Sequence, residues 1–180
     1  MLDDLVKEYL SLSDIMRKGY KDSLGTESQT WNETLSRLSP VVPDVFKAIY
    51  GEVSGTYRGI DNQTYMDFVP GYRLIHIEEL EKEYHTLLQM LASDDICEAR
   101  IRTIIPLLAD YSSCYVCYVE TYNNEEAVFH FSPDNGLRKM HASAELFFKT
   151  MIAFYLSGVF HLDEEGFLDY DFEREGIIGA

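Results

Sequence analysis

The stretch Ile104–Tyr118, IIPLLADYSSCYVCY, decides how the chain is read. Two isoleucines run into Pro106 and two leucines follow; Ala109, Asp110 and Tyr111 then interrupt, and a second apolar run begins at Cys114. Proline cannot donate to a sheet ladder, so Pro106 is expected at a strand end or a bulge. Beyond it, Tyr115, Cys117 and Val119 alternate with Cys114, Val116 and Tyr118, and neither set is polar. That pattern predicts a central strand covered on both faces. Tyr122, Asn123, Asn124, Glu125 and Glu126 turn the chain. It returns as Ala127–Phe131, with Val128 and His130 facing opposite to Ala127, Phe129 and Phe131. A β-hairpin over residues 113–131 is predicted.

Upstream of this hairpin, Ile77, Leu80, Tyr84, Leu87, Leu88 and Leu91 recur at helical spacing. Glu78, Glu79, Glu81 and Glu83 lie near that helix's N-terminus, where the macrodipole favours anions. Pro70 and Gly71 make a turn into a strand over Tyr72–Ile75. Residues 53–67 read as loop, with a short strand over 65–68. Pro43 opens a helix through Val45, Phe46, Ile49 and Tyr50 that closes near Gly51. Thr30 and Glu33 have the spacing of a capping box ahead of Leu35 and Leu38. Leu2, Leu5, Val6, Tyr9 and Leu10 form a first helical stripe, extended by Ile15 and Met16 and ended near Gly19.

Downstream, residues 137–140 give one more strand. Ser143 caps a helix carrying Leu146, Phe147, Met151, Ile152, Phe154 and Tyr155, closed by Gly158. The apolar residues of this helix cover more than one face, so it must pack on two neighbours. The order of elements predicts an α+β fold, an antiparallel or mixed central sheet packed by helices.

The chain has 180 residues, 46% hydrophobic and 13% aromatic, enough to bury a core without staples. Fifteen Lys plus Arg stand against 31 Asp plus Glu, a formal charge of -16. Such a field repels nucleic acid and anionic membrane surfaces and steers basic partners inward. Asp3, Asp4, Lys7 and Glu8 interrupt the first ten residues, unlike a signal peptide, and no run approaches the roughly 18 apolar residues of a membrane span. An odd number of cysteines, three, argues against a disulfide framework. A cytoplasmic protein is expected.

No motif assigns catalysis. His76, His85, His130, His141 and His161 are scattered singly, and neither HExxH, GxSxG nor a phosphate-binding loop is present. Cys114 and Cys117 form a CxxC, but on a strand they point to opposite faces, and no second pair completes a zinc site. Asp169 and Asp171 share one side of any strand, a pattern that can hold a divalent cation but is common near chain ends. The expectation is no catalytic residue, no metal and no cofactor. The acids are concentrated: residues 77–95 carry a net -5 and residues 161–180 a net -6. In the second segment Asp163, Glu164, Glu165, Asp169, Asp171 and Glu173 are mixed with Phe167, Tyr170 and Phe172, which offers aromatic anchors inside an acidic rim. If the two segments lie side by side, they form one patch. With Asp110 and Tyr111, these residues are the candidates for partner binding.

The chain also resembles the SMI1/KNR4 family of the SUKH superfamily. The likeness runs from Leu38 to Tyr50, through Pro70, Gly71, Tyr72 and Leu74 into the Glu78–Glu79 helix. It continues through Ile105, Pro106, Asp110, Tyr111 and the strand Tyr115–Tyr118 to Ser143, Phe147 and Phe148. The family's glycine-rich turn after its Ile-Pro strand is here Ala109–Ser113. The resemblance divides the chain into an N-terminal helical extension, residues 1–37, and a SUKH-like domain, residues 38–180. It implies no catalysis. For bacterial members it implies an immunity protein that binds and neutralises a polymorphic toxin, commonly a nuclease, whose basic groove an acidic surface can cover. For eukaryotic members it implies the alternative, a regulatory adaptor with several protein partners.

Overall fold

The computed structural model describes residues 1–93 and 100–173. Asp94, Asp95, Cys97, Arg174 and Glu175, counted above, lie outside the described residues. The elements run α1 (Leu2–Met16), α2 (Tyr20–Ser23), α3 (Trp31–Leu38), α4 (Asp44–Tyr50), β1 (Arg73–Leu74), α5 (Ile77–Ser93), β2 (Ile101–Ala109), β3 (Tyr115–Thr121), β4 (Glu126–Ser132), β5 (Gly136–His141), α6 (Ala144–Ser157), β6 (Phe160–Leu162) and β7 (Leu168–Tyr170). The first five strands form an antiparallel sheet in the order of the chain, and β6 and β7 form a separate two-stranded sheet. The fold is α+β.

The predicted hairpin is β3 and β4, paired from Tyr115–Phe131 to Glu120–Glu126. The bulge lies where proline's missing donor calls for it: Pro106 pairs with Cys117 and Leu108 with Val116, leaving Leu107 as the extra residue. Leu107 turns its carbonyl to the Ile75 N–H at 3.2 Å, tying β1's end to the sheet. Alternation along β3 decides which helix covers which face. The Tyr115 hydroxyl reaches Glu83 of α5, whereas the Tyr118 ring packs on Phe46 of α4 at 6.0 Å. So α5 covers one face, and α4, α6 and, behind them, α1 cover the other.

Residues 1–37 share one core with the sheet and its helices. Val6, Tyr9, Leu10, Tyr20, Leu24 and Leu35 belong to one buried cluster with Phe46, Leu74 and Phe148. Tyr9 packs on Phe68, Phe148 and Tyr155. Arg17, at the end of α1, lies over the Tyr20 ring and donates to the Asp67 carbonyl at 2.7 Å.

Three local expectations are corrected. Ile15 is 77% exposed and leaves the α1 stripe at Ser13, which is buried against α6 and donates to the Tyr155 hydroxyl at 3.0 Å. Thr30 caps nothing, because its hydroxyl pairs with that of Ser28, while Glu33 turns to Arg37 at 3.5 Å. Residues 65–68 are not a strand. A 3₁₀ turn, Gln63–Tyr65, forms there instead, because the Asn62 side chain accepts from the Thr64 N–H and caps it.

Candidate functional site: a cleft beside the terminal hairpin

The cleft begins with α6. Ser143 accepts from the Leu146 N–H at 3.1 Å, starting the helix, and Gly158 ends it at φ 75°, a conformation glycine adopts without strain. Two stripes result. Phe148 and Tyr155 face α1, with ring centroids 5.6 and 5.4 Å from Tyr9. Phe147, Met151 and Phe154, at i, i+4 and i+7, face the cleft with Thr150 beside them.

Past Gly158 the chain folds back as β6 and β7. Asp163 builds the turn between them, its Oδ1 accepting from the N–H groups of Glu165 at 2.9 Å and Phe167 at 2.8 Å. An aromatic ladder ties this hairpin to α6: Phe160 to Phe154 at 5.4 Å, Tyr170 to Phe154 at 5.6 Å, and Phe172 to Tyr170 at 4.7 Å. The opposite wall is the sheet, through Val116, His130, Met140 and His141, with Tyr72 behind the Pro70–Gly71 turn. Gly71 sits at φ 82°, which that turn requires. Together these walls enclose a cleft of about 690 Å³.

Its polar groups are few. The Tyr72 hydroxyl and His130 Nε2 share a hydrogen bond of 2.7 Å. Burial pushes the Tyr72 phenol up to about 12 and holds the His130 imidazole below its ordinary value. His141, packed on Phe147 at 5.5 Å, is lowered by burial as well. Both imidazoles are therefore neutral at neutral pH. Asp169 is the single Asp, Glu, Lys or Arg among the lining residues, and its carboxylate is more than half exposed at the rim.

The candidate residues separate into three groups. Phe172, 79% exposed, Tyr170 and Asp169 lie on the cleft, whereas Glu164 and Glu165 are exposed on the hairpin turn and Phe167 is half-buried at its end. Asp163, Asp169 and Asp171 each accept a nearby backbone N–H: those of Glu165 and Phe167, of Tyr170, and of Glu173. These bonds shape the hairpin and its exit. Glu173 is exposed just beyond. Asp110 and Tyr111 belong to another turn. Asp110 accepts from the N–H groups of Ser112 and Cys114 and from the Ser112 hydroxyl at 2.6–2.8 Å. Partial burial raises its carboxyl, but those donors outweigh it and hold it below the usual value. Tyr111 is clasped by Arg58 and Met66. This turn does not line the cleft, although Asp110 is close enough for its charge to act on Tyr72 and His130.

The described parts of the two acidic segments do not merge into one patch. α5 lies on the Tyr115 face of the sheet, the terminal hairpin on the Val116 face. The α5 glutamates are also occupied. Glu79 and Glu83 hold buried Arg73 at 2.6 and 2.9 Å, Glu81 pairs with Arg37 at 3.0 Å, and Glu78 accepts from Tyr57. Among the described residues, no Lys or Arg pairs with Asp163, Glu164, Glu165 or Asp169; His161 is 3.9 Å from Asp169.

Cys114 and Cys117 are free thiols, both raised by burial, with Cys117 fully enclosed. Among the described residues no three His, Cys, Asp or Glu side chains gather to hold a metal ion, and no helix is long and apolar enough to cross a membrane. Neither protein-family models nor curated proteins match the chain.

No local pattern in the sequence marks the cleft or its Tyr72–His130 pair, which joins residues 58 apart. The hairpin left a signal: Phe160 and Leu162, then Leu168 and Tyr170, alternate about the turn-forming DEEG of residues 163–166.

Proposed function

We propose that the chain is a non-catalytic immunity protein of the SMI1/KNR4 type, acting in the cytoplasm, that binds and neutralises a bacterial toxin, a basic nuclease domain. One observation carries this reading: among the described residues no Lys or Arg pairs with Asp163, Glu164, Glu165 or Asp169, and these carboxylates stand on the terminal hairpin next to exposed Phe172 and an apolar cleft. Interfaces combine these features, an aromatic anchor in a desolvated pocket with a charged rim that steers the partner. Glu79 and Glu83 of α5 contrast, because both hold buried Arg73. The family resemblance and the charge of -16 favour the same partner.

The test uses Glu164→Lys/Glu165→Lys, because both side chains are exposed and line no part of the cleft. Tagged wild-type and variant proteins are used as bait in the native source across a salt series. The expected result is one basic protein held by the wild type and released from the variant at lower salt. Co-expression with that protein should then restore growth with the wild type more fully than with the variant, at equal melting temperatures. Many weak, non-basic partners, equal for both baits, would overturn the reading and favour the adaptor.

A further inference from the structure

We propose that the cleft between α6, the sheet and the terminal hairpin is the seat of a short peptide segment of the basic partner, an apolar side chain entering the aromatic floor and an adjacent Arg or Lys meeting Asp169. The inference rests on the preceding reading for the partner's basic character and adds where and by what chemistry it is gripped.

The occupant follows from shape and charge. A cleft of about 690 Å³ lies within the usual range of small-ligand pockets, room for two or three side chains. Its floor of Phe147, Met151, Phe154 and Phe160 rewards an apolar group. The Tyr72–His130 pair is already mutually satisfied, and the neutral imidazoles put no positive charge in the way. Asp169, the single Asp, Glu, Lys or Arg among the lining residues, places its carboxylate at the rim where it keeps contact with water. A carboxylate at the mouth of an apolar floor selects an apolar side chain with a cation on the neighbouring residue. It rejects an anion, both through Asp169 and through Glu164 and Glu165 on the same hairpin. Phe172 and Met140 line the cleft and are exposed, which leaves apolar surface for the guest.

The probe is acetyl-Phe-Arg-amide, titrated into the full-length protein and followed by amide chemical shifts. Acetyl-Phe-Glu-amide and acetyl-Gly-Arg-amide serve as controls. The proposal expects shifts centred on residues 140, 150 and 169, and controls weaker by at least about fivefold. Asp169→Asn should weaken the Arg peptide about two- to fivefold, the range of an exposed ion pair, and leave acetyl-Phe-Glu-amide no weaker. Thr150→Trp puts an indole into the cleft, taking space the guest needs, and should weaken binding several-fold. Met140→Lys, at an exposed position on the edge strand, puts a cation at the mouth and should weaken it without touching the core. Equal binding of Arg and Glu peptides, shifts elsewhere, or full binding by Thr150→Trp overturns the proposal. So does a dimer seen in sedimentation that Thr150→Trp dissolves, because the occupant is then a second copy. Peptide binding without capture of a basic partner supports the cleft while overturning the immunity reading. Capture with no peptide binding does the reverse.

Discussion

Replacing Arg73 by methionine is expected to cost about 3–5 kcal/mol, more than deleting both members of its ion pair together. Arg73 is 2% exposed, and its guanidinium donates to the Thr56 carbonyl at 2.6 Å, to Glu79 at 2.6 Å and to Glu83 at 2.9 Å. Glu83 is itself buried, and its other oxygen accepts from the Tyr115 hydroxyl at 2.7 Å. With the arginine gone, the carboxylate keeps Tyr115 and a distant Arg58 at 3.9 Å, too little to offset burial of its charge. Such a loss is a large part of the roughly 5–15 kcal/mol that stabilises a domain, and for this size it lowers Tm by about 6–20 °C. Arg73→Met/Glu83→Met removes the two buried charges, leaves the more exposed Glu79, and should be less destabilised than Arg73→Met. Urea unfolding followed by far-ultraviolet circular dichroism checks this. A loss below about 1 kcal/mol in the single variant would refute the reasoning, as would simple additivity in the double. The same variant reports on the cleft, because Arg73 anchors the strand whose neighbour, Tyr72, forms its wall.

Two further outcomes are expected. Burial holds His76, His130 and His141 below the ordinary 6.5, so the unfolded chain takes up protons first. The stability these neutral rings contribute is complete above 6.5 and lost as pH falls through 6.5 toward their folded values; His141→Gln should flatten that decline in Tm, and an unchanged slope would exclude His141 as a contributor. Asp163→Ala removes the acceptor for two N–H groups, so the amides of Glu165 and Phe167 should exchange faster with solvent while α1 and α6 amides stay protected; unchanged exchange would mean the turn holds without its carboxylate.

Most of the sheet was legible because its information is local. Alternation from Tyr115 to Phe131 specifies a strand pair, and Pro106 marks its own bulge because a missing N–H is a property of one residue. Helices α4, α5 and α6 were legible for a similar reason, since Pro43, the Ile77–Leu91 stripe, Ser143 and Gly158 act within a turn of the positions they terminate or cap. The Thr30 capping box failed where Ser28, two residues away, offered its hydroxyl a competing partner.

What the fold alone decided is which charges and rings come together. Composition gave the acidity, but Arg73, Arg58 and Arg37 pair with Glu79, Glu83 and Glu81 of α5 because strand and helix register brings them within hydrogen-bond or ion-pair reach. The same composition leaves Glu164 and Glu165 exposed on a hairpin on the opposite face. Likewise α6 announced that it must pack on two neighbours, yet only the docking of α1 on its Phe148 and Tyr155 stripe left Phe147, Met151 and Phe154 to line a cleft. Periodicity is written residue by residue along the chain. Pairing across 58 residues, as between Tyr72 and His130, exists only once long-range packing has selected one arrangement.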